Sequence, residues 1–167
     1  ADAVVELQDG SLIEGIYGAD FGDDVCRAFS VLSRDGGQTW DNVALIAGDA
    51  EQTVSFEEPS ICERNDGTLI AVLRAGTPGD YGYLYTAFSS DGGRSWSDLS
   101  ETSMWGHPPS VNLLQDGRLL CCYGYRREPY GVRASLSEDG GRTWNIDEEI
   151  VIRDDGSSRD VGYPATV

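Results

Sequence analysis

Five arginines stand in stretches otherwise made of tyrosine, glycine and acid. Arg27 follows "GADFGDDVC", Arg74 opens "RAGTPGDYGY", and Arg126, Arg127 and Arg133 lie in "YGYRREPYGVR". The chain contains no lysine, so any cationic site must be built from arginine, whose planar fork grips carboxylates through two parallel hydrogen bonds. Around these arginines lie the groups that can move protons or attack: Glu57 and Glu58 in "FEEPS", Asp20, Asp23 and Asp24 in the first stretch, Tyr163 in "GYPATV", and the sole histidine, His107, before Pro108 and Pro109. Each has a plainer reading beside the chemical one. Arg74 can bind a ligand or ion-pair with Glu57 or Glu58 across neighbouring units. Arg133 can answer an aspartate of the acidic loops. Tyr163 can pack against its neighbour, and His107 can be a loop residue bonded to backbone.

Composition narrows the function classes. The 167 residues carry a formal net charge of -17, which argues against a nucleic-acid partner, because phosphate backbones select clustered positive charge. No stretch approaches the ~18 apolar residues of a membrane helix. The four cysteines, Cys26, Cys62, Cys121 and Cys122, show neither CxxC nor Cys/His metal spacing, so buried free thiols are expected and no metal or cofactor. The sequence opens at "ADAVVELQDG" without Met, which sets the expectation of a removed leader or upstream segment, with a secreted or periplasmic location favoured over a cytoplasmic one.

Two repeated signals organise the chain. An Asp-Gly turn before an apolar run occurs as "QDGSLIEGIYG", "NDGTLIAVLRAG" and "QDGRLLCCYGY". Asp-Gly between apolar stretches marks a hairpin. The turn aspartates Asp9, Asp66 and Asp116 are spaced by 57 and 50 residues. An octet follows each: "SRDGGQTW", "SSDGGRSW" and "SEDGGRTW". Its Gly pair supplies positive φ, its Asp and hydroxyls bond their own turn, and its Trp buries a large face, so its reading is structural. Each unit then reads as strand A, the Asp-Gly turn, strand B, a variable loop, strand C, the octet, and a fourth strand beginning at the Trp. Four antiparallel strands in ~50 residues, repeated, is the pattern of a β-propeller blade. The expected units are 1–56, 57–106 and 107–160, with 161–167 starting a fourth.

Alternating strand direction sorts the loops. Asp-Gly turns and octets share one end, all tight turns with little room for a site. The B–C loops and the lead-ins to strand A share the other, and function concentrates in such loops. Counting back from the turn Asp puts Glu58, Pro108 and Tyr163 at equivalent lead-in positions near the mouth of a central channel.

The octet matches the Asp-box, S-x-D-x-G-x-[ST]-W, in all three copies. Together with "EEPS…NDGTLIAVLR", "PPSVNLLQDGRLLCCYGYR" and "GYPATV", the chain resembles the sialidase-like (BNR-repeat) β-propeller family over essentially its whole length. The resemblance implies an all-β fold of three four-stranded blades, about half of a six-bladed ring, associated with a second copy or part of a longer chain. It implies a glycosidase-like function on an acidic or hydroxyl-rich sugar, or a non-catalytic carbohydrate- or protein-binding propeller. In such enzymes arginines from different blades hold the substrate carboxylate, a tyrosine assisted by a glutamate is the nucleophile, and an aspartate is the acid/base. Transferred here, Arg27, Arg74, Arg126, Arg127 and Arg133 bind substrate, Tyr163 attacks, Glu58 assists, and Asp24 of the first B–C loop supplies the proton. The family's Arg-Ile-Pro opening is absent, and no motif marks the acid.

Overall fold

The computed structural model describes residues 4–77 and 80–166. Residues 1–3, Pro78, Gly79 and Val167, which include parts of the expected first and fourth units, lie outside the described residues. The first sheet holds β1 (Val5–Glu6), β2 (Leu12–Gly18), β3 (Arg27–Ser33) and β4 (Asp41–Ala47). The second holds β5 (Ser55–Glu63), β6 (Leu69–Thr77), β7 (Asp80–Tyr81), β8 (Tyr83–Ser89) and β9 (Ser100–Trp105). The third holds β10 (Pro109–Leu113), β11 (Leu119–Tyr125), β12 (Tyr130–Ser137) and β13 (Ile150–Gly156). Each sheet is an antiparallel meander of four strands in chain order, with β7 a short addition on β6. These are propeller blades. The expected boundary after residue 56 falls inside β5.

The fourth strands start later than the octets suggest. β4 begins one residue after Trp40, β9 four after Trp96 and β13 six after Trp144. The cause is that the indole is committed to the neighbouring blade. Trp96 Nε1 donates to Ser30 Oγ of the first blade at 2.9 Å, and Trp144 is buried in the core between blades two and three.

Each octet is a closed knot. In the second, Ser89 Oγ and Ser95 N donate to Asp91 Oδ1 at 2.8 and 2.9 Å, Ser95 Oγ donates to Asp91 Oδ2 at 2.6 Å, and Gly93 N donates to Ser89 Oγ at 2.9 Å. Asp35 and Asp139 repeat the pattern. The hydrogen bonds from Thr39 and Ser95, with their neighbours, hold Asp35 and Asp91 down to about 2. With its carboxylate fully engaged, the octet serves the turn and leaves nothing for catalysis.

The knots also stack the blades. Gly93 and Gly141, at φ +84° and +92°, lie so close to the preceding blade that a Cβ would collide with Ile13 Cδ1 and Ile70 Cδ1 respectively. Two apolar cores result. Ile13, Ala28 and Leu32 meet Leu69, Ala71 and Leu73 between blades one and two. Ile70, Val72 and Leu84 meet Leu119, Cys121 and Tyr123 between blades two and three. Strand β6, apolar on both faces, is buried on both. The inner strands are keyed together as well: Val111 N donates to Ser60 Oγ at 2.9 Å, and Thr166 N to Ser110 Oγ at 3.2 Å.

The turn end has more relief than expected. The reach of Arg64 over Gly140 leaves a cleft of about 490 Å³ between the second Asp-Gly turn and the third octet. Cys26, Cys62, Cys121 and Cys122 form no disulfide among the described residues, and no helix among them is long and apolar enough to cross a membrane.

The octet glycines yield a stability prediction. Gly93→Ala or Gly141→Ala should lower unfolding stability by roughly 2–4 kcal/mol, overpacking adding about 1–3 to a left-handed backbone cost of about 1. Gly36→Ala, at φ +72° with nothing within 4 Å of its would-be Cβ, should lose only the backbone part. Denaturant melts of the three variants measure this; equal losses would remove the stacking role.

Candidate functional site

Two backbone features aim the central pair. Glu58 and Tyr163 have φ of +51° and +59°, the left-handed region that bulky residues avoid, and each precedes a proline, Pro59 or Pro164. At Glu58 the strand register slips between Glu57 and Ser60, so two successive carboxylates turn toward one end of the blade. Glu57 stays in register opposite Arg74 of β6. Strained backbone of this kind costs about 1–3 kcal/mol per residue and persists where the surroundings over-determine it.

Those surroundings are one connected network. Tyr163 Oη donates to Glu58 Oε1 at 2.8 Å, joining residues 105 apart in sequence. Arg74 Nη1 donates to Glu58 Oε2 at 3.0 Å, and Arg74 Nε lies 3.6 Å from Glu57 Oε2. Glu58 is 6% exposed and Arg74 9%, while Tyr163 is 59% exposed. The plainer reading of Arg74, an ion pair, therefore holds, but within one blade rather than across two. Burial raises Glu57, helped by the charge of Glu58 and opposed by Arg74. The hydrogen bond to Glu58, then burial, pushes the Tyr163 phenol up, while Arg126 and Arg74 pull the other way.

The remaining arginines divide into bound and open. Arg27 is clamped by Asp20 at 2.5 Å and Asp23 at 2.8 Å in its own loop. Arg133 is buried on β12, 3.7 Å from Glu149 and 4.8 Å from the Tyr125 ring, so its partner is a glutamate of the fourth-strand approach rather than a loop aspartate. Arg126 donates its Nε to Val161 O at 2.9 Å and stands 5.9 Å from the Tyr163 ring. Arg127 lies over Trp105 at 3.7 Å. Among the described residues Arg126, Arg127 and Arg159 have no carboxylate ion-pair partner, and neither do Arg94 and Arg142 of the octets at the opposite end. Asp24 is exposed, and among the described residues it has no hydrogen bond to Tyr163 or Glu58. No group of three or more His, Cys, Asp or Glu suited to a metal ion occurs among them.

His107 is a loop residue bonded to backbone, as expected, and its ring is buried as well. Its backbone N donates to Gly124 O at 2.8 Å, but its ring is 1% exposed and neither ring nitrogen has a hydrogen-bond partner among the described residues. The Tyr81 ring is tilted against it at 5.0 Å, Trp105 meets it edge-on at 6.0 Å, and Arg74 covers the Tyr81 ring at 3.6 Å. Burial first, then the charges of Arg74, Arg126 and Arg159, pulls His107 down to about 3.

Sequence reasoning passed over Tyr17, Trp105 and Arg159. Tyr17, at the end of β2, is raised by burial and by the nearby charges of Glu58 and Glu57. Its only signal was the aromatic closing strand B. Trp105 closes β9 directly before the "GHPP" lead-in, and Arg159 stands four residues before Tyr163. Both positions flank lead-ins already marked as candidates.

The buried histidine makes stability pH-dependent in a defined window. Below about 6.5 the unfolded chain takes up a proton that folded His107 refuses until about 3, so stability is intact above 6.5 and falls as pH drops. The slope is at most about 1.4 kcal/mol per pH unit. Between pH 6.5 and 4.5, above the octet carboxylates' range, His107→Phe should flatten it. Equal slopes for variant and parent would show that the imidazole is not held neutral.

Solved structures share this fold. A protein of unknown function from Dyadobacter fermentans is 32% identical, with a TM-score of 0.85 over 98% of this chain and 44% of its own. The Hadza microbial sialidase Hz136 is 19% identical, with a TM-score of 0.68 over 84% of this chain and 35% of its own. An α-L-arabinanase from Penicillium chrysogenum, complexed with arabinobiose, is 20% identical, with a TM-score of 0.64 over 81% and 45%. The chain thus spans less than half the length of each. No curated protein matches it. The model of the BNR repeat-like domain matches residues 2–167, and with three Asp-box blades in place the chain belongs to that family.

Proposed function

We propose that this chain is the substrate-binding and nucleophile-bearing segment of a sialidase-like glycosidase acting on an acidic or hydroxyl-rich sugar. The observation that carries the reading is the 2.8 Å hydrogen bond from the Tyr163 phenol to Glu58. A phenol is a poor nucleophile near neutral pH unless a base takes its proton as it attacks. Glu58 is placed to do so, and Arg74 fixes its other oxygen. In the step, Tyr163 Oη bonds to the anomeric carbon, the glycosidic C–O bond breaks, and the phenolic proton passes to Glu58. Water then releases the sugar from the tyrosine. The leaving oxygen takes its proton from water, the resulting hydroxyl ends on the anomeric carbon, and Glu58 returns its proton to the phenolate; Asp24 has no hydrogen bond to Tyr163 among the described residues.

The geometry redistributes the arginine roles. Arg27, Arg74 and Arg133 are engaged with carboxylates of the chain itself, so Arg126, with Arg127 and Arg159 near it, is the group with donors to offer a ligand. One observation favours a second reading, a non-catalytic carbohydrate-binding propeller. Among the described residues no carboxyl other than Glu58 is hydrogen-bonded to Tyr163, and without a second one to protonate the leaving oxygen the same groups can hold a sugar without cleaving it.

Tyr163→Phe separates the two. With fluorogenic sialosides and arabinosides, the glycosidase reading expects turnover to fall by about 10³ or more while sugar affinity changes little. Turnover surviving in Tyr163→Phe would exclude this nucleophile. Absent turnover in the parent, with glycan-array binding lost in Arg126→Ala, would establish the binding reading.

A further inference from the structure

The repeats make one blade junction a template for the other. At the turn end of the first junction, Gln8 N donates to Glu63 Oε2 of blade two at 2.7 Å, and Gln8 Nε2 donates to Arg64 O at 3.0 Å. A carboxylate from the end of the following inner strand thus closes the gap beside the Asp-Gly turn. Counted from the turn aspartates, the second junction has Asn65 in the place of Gln8 and Leu113 in the place of Glu63. The two turns fold alike. Gly10 N and Gly67 N donate to Leu7 O and Arg64 O at 2.8 and 2.9 Å, and Leu7 N and Arg64 N donate to Ser11 O and Thr68 O, both at 2.8 Å. Asn65 N is therefore directed toward Leu113 as Gln8 N is toward Glu63, and the leucine side chain has no acceptor to offer. Among the described residues neither Asn65 N nor its side-chain amide has a hydrogen-bond partner.

Where that carboxylate is missing lies the cleft of about 490 Å³, lined by Arg64, Asn65 and Leu113 and by Glu138 and Arg142 of the third octet. Its two walls are blades two and three, packed on each other through the core of Ile70 and Leu119. Two of the acids around it are already answered. Asp66 pairs with Arg64 at 3.3 Å, and Asp139 is held by its own octet. Arg142 is exposed, spends one Nη1 donor on Asp139 O at 3.3 Å, and has no carboxylate partner among the described residues. Glu138 is exposed, stands near Arg118, and makes no hydrogen bond among the described residues. The cleft thus joins an unmet backbone donor, an unpaired guanidinium, an apolar wall and an unengaged carboxylate.

We propose that this cleft binds an acidic sugar, whose carboxylate takes the place that Glu63 fills at the first junction. The carboxylate accepts from Asn65 N and from Arg142, a charge-assisted pairing. Leu113 receives a C–H face of the ring, and Glu138 accepts from its hydroxyls. Glu138 decides between the sources of a carboxylate. An aspartate or glutamate side chain of a partner protein brings no donor for Glu138 and meets its charge unrelieved, whereas a sugar acid brings hydroxyl donors with it. The volume lies on the scale of small-ligand pockets.

This site is independent of the glycosidase reading. The Asp-Gly turns and octets share one end of the blades and the lead-ins share the other, so the cleft and the Tyr163–Glu58 pair face opposite ways. The cleft binds without cleaving, because Asp139 is fully engaged in its turn and Glu138 alone cannot serve as both acid and base or nucleophile. The net charge of -17 repels an anion at long range, so affinity rests on the short contacts to Asn65 and Arg142.

Amide NMR of the nitrogen-labelled protein, with glucuronate as the probe, tests this. The Asn65 amide proton should move downfield on titration. Glucose, the same ring without a carboxylate, and an acetylated glutamate amide, a carboxylate without hydroxyls, should each bind at least about tenfold more weakly. Arg142→Gln, at an exposed position, should weaken glucuronate about tenfold or more with circular dichroism unchanged. Leu113→Glu should shift the Asn65 amide downfield before any sugar is added and abolish its response, because the chain then supplies its own carboxylate. Tyr163→Phe should leave the Asn65 response as it is, whatever that substitution does to turnover. An Asn65 amide that glucuronate does not move, or shifts confined to the residues around Tyr163, would overturn the proposal. So would a glutamate amide that binds as tightly as glucuronate, or an Arg142→Gln variant that binds like the parent, and this last comparison decides should Leu113→Glu fail to fold.

Discussion

A glycine pressed against the side chain of the preceding blade is the contact on which the rest depends. It exists because a carboxylate and two hydroxyls hold the octet in one shape and present the second glycine outward. The left-handed backbone at Gly93 and Gly141 is open to glycine at no steric cost. With no Cβ between them, two sheets approach closely enough to merge their apolar faces into one core. Take the contact away and the sheets are three independent meanders whose inner-strand ends have no reason to converge.

Convergence is what creates the candidate site. Glu58 and Tyr163 hold equivalent positions two blades apart, and both leave the extended backbone before a proline. The strain at each is held by the partner: the phenol binds the carboxylate that Arg74 already fixes, and Arg126 ties the Tyr163 lead-in through Val161. The site is buried at its acidic base and open at its phenol, an arrangement suited to bringing a reactive oxygen to a ligand while its base stays dry. Around it the arginines sort by availability. Those in the strands and the acidic loop are neutralised, and those at the third blade's rim are not.

Much of this was legible because the repeats carry it. The Asp-Gly turns and octets locate every hairpin, and counting from them puts Glu58 and Tyr163 at one structural position. What the repeats do not encode was harder. The late start of β9 and β13 follows from tryptophans facing a neighbour rather than the ladder, which no local pattern announces. The confinement of Arg27 and Arg133 depends on Asp20, Asp23 and Glu149 folding back on them, and nothing in the spacing separates a held arginine from a free one. His107 was legible as a loop residue, but the burial of its ring was not, because that comes from Tyr81 and Trp105, supplied by a different blade.

The most direct measurement is the titration of Tyr163, followed by NMR of the chain carrying ring-labelled tyrosine, in the parent and in Glu58→Gln. Radial stacking that joins blade two to the fourth lead-in requires Tyr163 to titrate above free tyrosine, because its phenol is bonded to a carboxylate, and to move back down in Glu58→Gln. A Tyr163 resonance that titrates like free tyrosine, unmoved by the substitution, would contradict the account.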